Sequence, residues 1–339
     1  MRVLLTGAMG NIGQSTLDEL LRLGQQVRCF DLCTPANERA ARKRARQVEV
    51  VWGDLRRPED VAVAVRDQEA VIHLAFITPK LSATGIESES HPEWARVINV
   101  GGTRNLIDAL QAQPERARIV FASSVAVYGQ TQHLPPPRTA VDPVCPLDHY
   151  ARHKVECEQM VRESGLPWAV LRLPATLPLA IRLDPGLFDV ALDSRIEFGH
   201  TRDMGVALAR AVSSEGVWGK TLLIGGGPSC QFTYRDLVSR LLEAMGVGML
   251  PDAAFSRAPF CTDWLETCEG QEVLQYQTRG LEEYVQEMRA LLGPRRVLIR
   301  CFRPLVRAWV LGKSPYWRER TRRVARPRRK AVPESERVG

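Results

Sequence analysis

The residues most able to do chemistry are Tyr150 and Lys154, in the run Tyr150-Ala151-Arg152-His153-Lys154. A helix is predicted over 149–164, with Asp148 as its cap, and a spacing of four puts both side chains on one face. Free tyrosine ionises near about 10, too high for a base at neutral pH. A neighbouring ammonium favours the phenolate. Ser124 lies 26 residues before Tyr150, at the end of a predicted strand. Its hydroxyl can hold a substrate oxygen beside the tyrosine. The set suits removal of a proton from an alcohol while hydride leaves its carbon, or the reverse.

Hydride chemistry needs a carrier, and the start of the chain supplies a place for one. Val3-Leu4-Leu5 reads as a buried parallel strand. Gly7, Gly10 and Gly13 follow at the spacing G-x-x-G-x-x-G, ahead of a predicted helix over 14–23. The N–H groups at such a helix start, those of Asn11, Ile12 and Gly13, can hold a pyrophosphate with help from the helix dipole. Asp31 ends the second apolar stretch, 18 residues past Gly13, where a carboxylate accepts hydrogen bonds from an adenosine ribose. It would repel a 2′-phosphate, so NAD(H) is expected over NADP(H). Arg28 and the basic run 39–46 could soften that choice. The alternative reading of Asp31 is a strand-end turn residue.

Further strands are predicted at 48–52, 70–75, 118–122 and 168–173, separated by helical segments at 59–66, 93–111 and 149–164. This alternation implies an α/β fold with a doubly wound parallel sheet. The end of the fourth strand, Leu74-Ala75, should line the cofactor cleft. His73 reads as a structural histidine. Beyond Pro174 the rhythm changes, with predicted helices at 203–212, 234–245 and 281–292 and a strand at 220–224. The expected organisation is a dinucleotide-binding domain over 1–174, a smaller α/β substrate cap over 175–294 and a basic tail over 295–339.

Taken together, Thr6-Gly7-x-x-Gly10-x-x-Gly13, Asp31, Asp54-Leu55, His73-Leu74-Ala75, Ser123-Ser124-x-x-Val127-Tyr128-Gly129 and Tyr150-x-x-x-Lys154 stand in a familiar order. The chain resembles the extended short-chain dehydrogenases/reductases, the NAD-dependent epimerase/dehydratase group, through about residue 174. The resemblance implies a Rossmann fold and a Ser124–Tyr150–Lys154 catalytic set, with Ser123 only a neighbour. It implies cofactor contacts from Gly7, Gly10, Asn11, Ile12, Gly13, Asp31, Asp54, Leu55, Leu74, Ala75, Tyr150 and Lys154, and a supporting place near the cofactor for Asn99. Asp54 then meets the adenine amino group; its other reading is a cap for the helix near Pro58. Homodimers built from two helices per subunit are common in that family.

One departure bears on substrate. Nucleotide-sugar members usually carry Arg-x-x-Asn-x-x-Gly-Pro after the sixth strand; here the stretch reads Leu171-Arg172-Leu173-Pro174-Ala175-Thr176-Leu177-Pro178. Val125-Ala126 replaces the Asp-Glu pair of dehydratases. The expected substrate is therefore a small, fairly apolar alcohol, ketone or aldehyde. A nucleotide-sugar epimerase with retained NAD is the alternative enzyme. An NAD(H)-sensing binding protein is the alternative of another class, disfavoured by the intact Tyr150/Lys154 pair.

Charge is uneven along the chain. The net charge is +7, but residues 295–339 hold 15 Lys/Arg against 3 Asp/Glu, which leaves the rest at −5. Arg296, Arg300, Arg303 and Arg307 recur on one face, with Leu298, Phe302, Leu305 and Trp309 on another, and Pro304 should break the helix. The apolar face either docks on the body or lies on an anionic membrane, with 318–330 adding attraction; the last stretch otherwise reads as a disordered tail. No recognition motif accompanies the charge, so nucleic acid is not an expected partner. Eight cysteines show no C-x-x-C pair or metal-like cluster, no apolar stretch is long enough to cross a membrane, and no signal peptide is seen. The expected location is cytoplasmic or membrane-peripheral.

Overall fold

A computed structural model of the chain describes residues 1–80, 85–181 and 183–325. Its first half alternates β1 (Arg2–Thr6), α1 (Asn11–Arg22), β2 (Gln26–Asp31), α2 (Pro35–Arg42), β3 (Glu49–Trp52), α3 (Pro58–Val65) and β4 (Ala70–His73). Then come α4 (Pro92–Arg96), a π-helical turn at Val97–Gly101, α5 (Gly102–Gln111), β5 (Arg118–Ser124), α6 (His149–Glu163) and β6 (Trp168–Leu173). The second half adds β7 (Ala175–Thr176), β8 (Arg195–Gly199), α7 (Thr201–Ala211), β9 (Lys220–Leu223), β10 (Gln231–Thr233), α8 (Tyr234–Ala244), α9 (Cys268–Leu274) and α10 (Leu281–Leu292). It closes on α11 (Arg295–Cys301), α12 (Arg303–Leu311) and α13 (Pro315–Ala325).

Seven strands form one parallel sheet in the order β3-β2-β1-β4-β5-β6-β9. The winding direction reverses between β1 and β4, and such a switch point opens a crevice at the strands' carboxyl ends. Val3, Leu4 and Leu5 of β1 are fully buried because helices cover both faces. Val3 and Leu5 join Leu17, Leu20, Leu171 and Leu208 on one side. Leu4 joins Phe30, Leu106, Phe121 and Val161 on the other. Each such buried aliphatic side chain contributes about 1.5–3 kcal/mol.

The stretch 175–294 gives part of itself to this main body. Strand β9 is the edge of the large sheet, and α7 packs on α1. A Cβ at Gly205 would lie 2.5 Å from the Ser15 carbonyl carbon, so glycine lets the two helices touch. The remainder builds a small sheet, β10-β8-β7, and a second core of Phe188, Phe198, Leu237, Leu241, Tyr284 and Met288. The short strands β8 and β10 fall in stretches where the sequence shows no clear element.

The tail docks in the opposite sense to the expected one. Arg296 Nε donates to Ala244 O at 2.7 Å, Arg303 Nε to Val247 O at 2.9 Å, and Arg307 Nη1 to Val247, Gly248 and Met249 carbonyls. These carbonyls lie at and beyond the C-terminal end of α8, which leaves acceptors unpaired and favours cations. Ile299, Val306 and Val310 pack between the arginines. Leu298, Phe302, Leu305 and Trp309, the stripe expected to dock, face outward. The break falls at Phe302, with Pro304 in the first turn of α12. Of the last stretch, read as disordered in one alternative, residues 318–325 belong to α13 and the remainder lies outside the described residues.

Candidate active site

The glycine turn is shaped by close backbone approach. Gly7 has φ +67°, and a Cβ there would lie 2.7 Å from Ala75 N; at Gly13 it would lie 2.1 Å from Gly7 O. Gly10 caps α1 with no side chain and no acid follows in the first turn. The N–H groups of Asn11, Ile12 and Gly13 precede the first intrahelical bond, from Gln14 N to Gly10 O at 3.0 Å. They are left for an anion. A dinucleotide fits this cradle: the adjoining cleft is lined by Gly7, Gly10, Asp31, Asp54, Leu55, Leu74 and Ala75.

Asp31 closes over the turn. Its carboxylate accepts from Met9 N at 2.9 Å, Leu32 N at 2.8 Å and Asn37 Nδ2 at 3.0 Å. Burial raises its pKa in spite of these donors. Arg28 is turned away onto Glu49 and the carbonyls of Ala64 and Arg66, and Arg44 pairs with Asp18 through two bonds. Asp54 is gripped by Arg56, whose Nε lies 2.9 Å from Oδ2. Burial opposes the Asp54 charge, but Arg56 outweighs it and the pKa is lowered. The helix-cap reading of Asp54 is not realised, since Arg57 occupies the N-cap of α3 and offers no side-chain bond. Leu55 packs beneath Gly102, and its carbonyl accepts from Asn105 Nδ2.

His73 is a structural residue. Thr6 Oγ1 accepts from Leu74 N and Ala75 N, so its proton goes to His73 Nδ1 at 2.7 Å. Thr103 Oγ1 donates to Asn99 O and accepts from His73 Nε2 at 3.0 Å. Burial holds the imidazole neutral, with its pKa lowered to about 3.

Asn99 sits in the π-turn, a local helix variant frequent at functional positions. Its Oδ1 accepts from Ile77 N at 2.7 Å and its Nδ2 donates to Ile77 O at 3.1 Å. It thus braces the loop after β4. That loop carries Phe76, which the sequence reading passed over. Phe76, Trp94 and Ile98 form the apolar wall of the cleft. Their only signal was bulky apolar residues in segments facing the strand ends.

Tyr150, Ser124 and Lys154 converge where β5 ends. Asp148 caps α6 by accepting from Ala151 N at 2.7 Å, and Glu89 accepts from His149 N and Tyr150 N. Ser124 and Tyr150 line the same cavity, and the Ser124 Oγ accepts from Ala126 N at 3.2 Å. Ser123 instead donates to Glu158 Oε1 in a buried network with Arg172. Burial pushes the Tyr150 phenol up to about 12, with Ser124 pulling the other way. Burial also lowers Lys154 to about 7. Its Nζ donates to Ala122 O at 2.6 Å, with the Phe76 and Phe121 rings against it. At the Tyr150 phenol burial outweighs the neighbouring groups in this cofactor-free arrangement. Lys154 Nζ is 5.7 Å from the Tyr150 ring centroid, and burial dominates both groups.

A cavity of about 520 Å³ leads away from Ser124 and Tyr150 between the large sheet and the second core. Pro174, Leu177, Leu237, Leu241, Met245 and Met288 give it an apolar wall. Among the described residues its charged lining is Lys80 against Glu89, Asp148, Asp184 and Asp189, and Lys80 pairs with Asp189. Among the described residues no group of three His, Cys, Asp or Glu could hold a metal, and no helix is long and apolar enough to cross a membrane.

Residues 3–176 match the NAD dependent epimerase/dehydratase family. The chain belongs to that family. The resemblance to extended short-chain dehydrogenases/reductases read from the motifs is thereby shown. Over 176 residues it is 31% identical to a putative UDP-glucose 4-epimerase of Methanocaldococcus jannaschii, covering 50% of this chain and 54% of that protein. Over 130 residues it is 34% identical to a 3-beta-hydroxysteroid dehydrogenase of Mycolicibacterium neoaurum, covering 38% and 34%. These matches span about half or less of the relatives' own length. In structure it is similar to UDP-glucuronic acid 4-epimerase from Bacillus cereus, solved with UDP-glucuronic acid and NAD. The TM-score is 0.71 at 19% identity, covering 86% of this chain and 99% of that one. The family's α/β architecture is thus common to both.

Proposed function

We propose that the protein is an NAD-dependent oxidoreductase that moves hydride to or from an apolar alcohol, ketone or aldehyde. The observation that carries this reading is the cavity behind Ser124 and Tyr150. Pro174, Leu177 and Pro178 line it where nucleotide-sugar members keep polar contacts, and among the described lining residues four carboxylates against one lysine disfavour a diphosphate. The size suits a small molecule buried on most sides. The likeness to a 3-beta-hydroxysteroid dehydrogenase agrees with an apolar secondary alcohol as substrate.

In this proposal the cofactor, when bound, gives or takes the hydride. Tyr150 Oη passes the proton to or from the substrate oxygen, and Ser124 Oγ holds that oxygen beside it. Lys154 binds the nicotinamide ribose from the same face of α6. The Asn11, Ile12 and Gly13 N–H groups receive the pyrophosphate and Asp31 the adenosine ribose. NAD is preferred over NADP because the fixed Asp31 carboxylate opposes a 2′-phosphate and Arg28 and Arg44 are engaged elsewhere.

The second reading is a nucleotide-sugar epimerase that retains NAD, favoured by the likeness to UDP-glucose 4-epimerases. Mass spectrometry of small molecules released from the denatured protein separates the two. The proposal expects a site that binds and releases added NADH, and turnover on a panel of hydrophobic ketones. Stoichiometric retained NAD, with turnover on a UDP-hexose and none on the panel, would replace it with the epimerase reading.

A further inference from the structure

We propose that the outer face of α11 and α12 is a docking surface for an anionic lipid bilayer. Val297, Leu298, Phe302, Leu305 and Trp309 are each more than half exposed. From Leu298 to Trp309 they follow spacings of 4, 3 and 4, so they form one stripe along the two short helices. The opposite face is fixed to the body by Arg296, Arg303 and Arg307 on the carbonyls around the end of α8. The stripe is therefore held flat and outward, the posture of an interfacial helix.

Cations flank it. Arg295, Arg300, Lys313, Arg318 and Arg320 are exposed, and Lys313 Nζ lies 5.4 Å from the Trp309 ring centroid. Aromatic rings with a cationic border match the polar–apolar boundary of a membrane, and each exposed basic group near an anionic surface adds about 1 kcal/mol. Other occupants fit less well. A second copy laid face to face would bring two tails of +12 together. The chain beyond residue 325 is dominated by arginine, lysine, proline and glutamate, and has no large apolar side chain to cover the stripe other than Val332 and Val338.

The docking layer also adjoins the cavity. Helix α8 lines the cavity with Leu237, Leu241 and Leu242 and offers its terminal carbonyls to the tail. Tyr316 of α13 reaches Asp189, the partner of Lys80 at the cavity. The bilayer proposal stands on the stripe and its charges and does not depend on the substrate assignment.

The test is co-sedimentation of the full chain with vesicles of phosphatidylcholine alone and of phosphatidylcholine with phosphatidylserine. The variant carries Leu298→Ser, Phe302→Ser, Leu305→Ser and Trp309→Ser. All four positions are exposed, and unchanged NADH affinity and far-UV dichroism report an intact fold. Expected are binding to anionic vesicles, weaker binding at high salt, and a loss of partitioning of about tenfold or more in the variant. Equal partitioning of variant and parent would assign the attraction to the terminal charges alone and overturn the proposal. So would absence of binding to anionic vesicles, or a solution dimer by light scattering that the four substitutions dissociate.

Discussion

The Lys154 ammonium lies 3.5 Å from the centroid of the Phe76 ring, closer than to any other aromatic face around it. Phe76 is there because Asn99 pins the adjoining Ile77 by both its N–H and its carbonyl. A residue of the π-turn thus sets the surroundings of a residue on α6, through a loop that touches both. The result is a lysine whose charge is poorly solvated, held by a ring face and one carbonyl.

That placement has a pH signature in the cofactor-free protein. Lysine in the unfolded chain titrates near 10.5, and burial brings Lys154 to about 7 in the folded one. Between those values the unfolded chain binds a proton that the folded chain does not, so the contribution to stability rises with pH across the window. Below it both states are charged and the burial penalty is complete. Denaturant titrations from pH 6 to 10 should show this rise, and Lys154→Met should reduce the slope by about one proton. An unchanged slope would mean Lys154 is charged throughout.

Replacing Tyr150 with Phe should lower turnover by a factor of about 10² to 10⁴, the usual worth of a positioned acid/base. NADH affinity should stay close to that of the parent, since the turn from Gly7 to Gly13 and Asp31 are untouched. Stopped-flow reduction of a hydrophobic ketone and fluorescence titration of NADH give the two readouts. Substantial residual turnover would remove Tyr150 from its proposed role.

Asp31→Ser should weaken NAD(H) binding and narrow the gap to NADP(H). The carboxylate proposed to receive the ribose would be gone, while the Met9 and Asn37 donors it accepts from would become free to meet a phosphate. Parallel titrations with NADH and NADPH measure the ratio. A ratio that does not move would show that selection lies elsewhere in the cleft.

Asn99→Ala should cost about 1–3 kcal/mol for each backbone group of Ile77 left buried without a partner. It should also depress turnover beyond what lost stability explains, because Phe76 is then free to leave Lys154. Urea denaturation and kcat, measured well below the unfolding transition, separate the two effects.

Much of this arrangement was legible in the sequence because it is local. The G-x-x-G-x-x-G turn, the strand-end acid at Asp31 and the Tyr150/Lys154 spacing each depend on a few neighbouring residues. Strands β1, β4, β5 and β6 announced themselves as apolar runs because both faces are covered. Strands β8 and β10 did not, being short and paired only with each other and with β7. Phe76 was missed because its importance comes from a lysine 78 positions away in the chain. The tail was misjudged for a related reason. Periodicity identifies two faces, but which one turns inward was decided by unpaired carbonyls at the end of α8, which no pattern within 295–311 contains.

Strand β9 closes the edge of the large sheet. It hydrogen-bonds along β6 through the register Ala169↔Lys220 to Arg172↔Leu223. A fragment ending near residue 174 would leave β6 as a bare edge, its N–H and C=O groups open to any passing strand. It would also strip α7 from α1 and expose the Leu17 and Leu20 side. The portion that carries the family signature thus shares its sheet edge and one helix face with the second half. Expression of that half alone should yield aggregates, and supplying residues 175–325 in trans should restore a soluble, NADH-binding particle only if β9 regains its place beside β6.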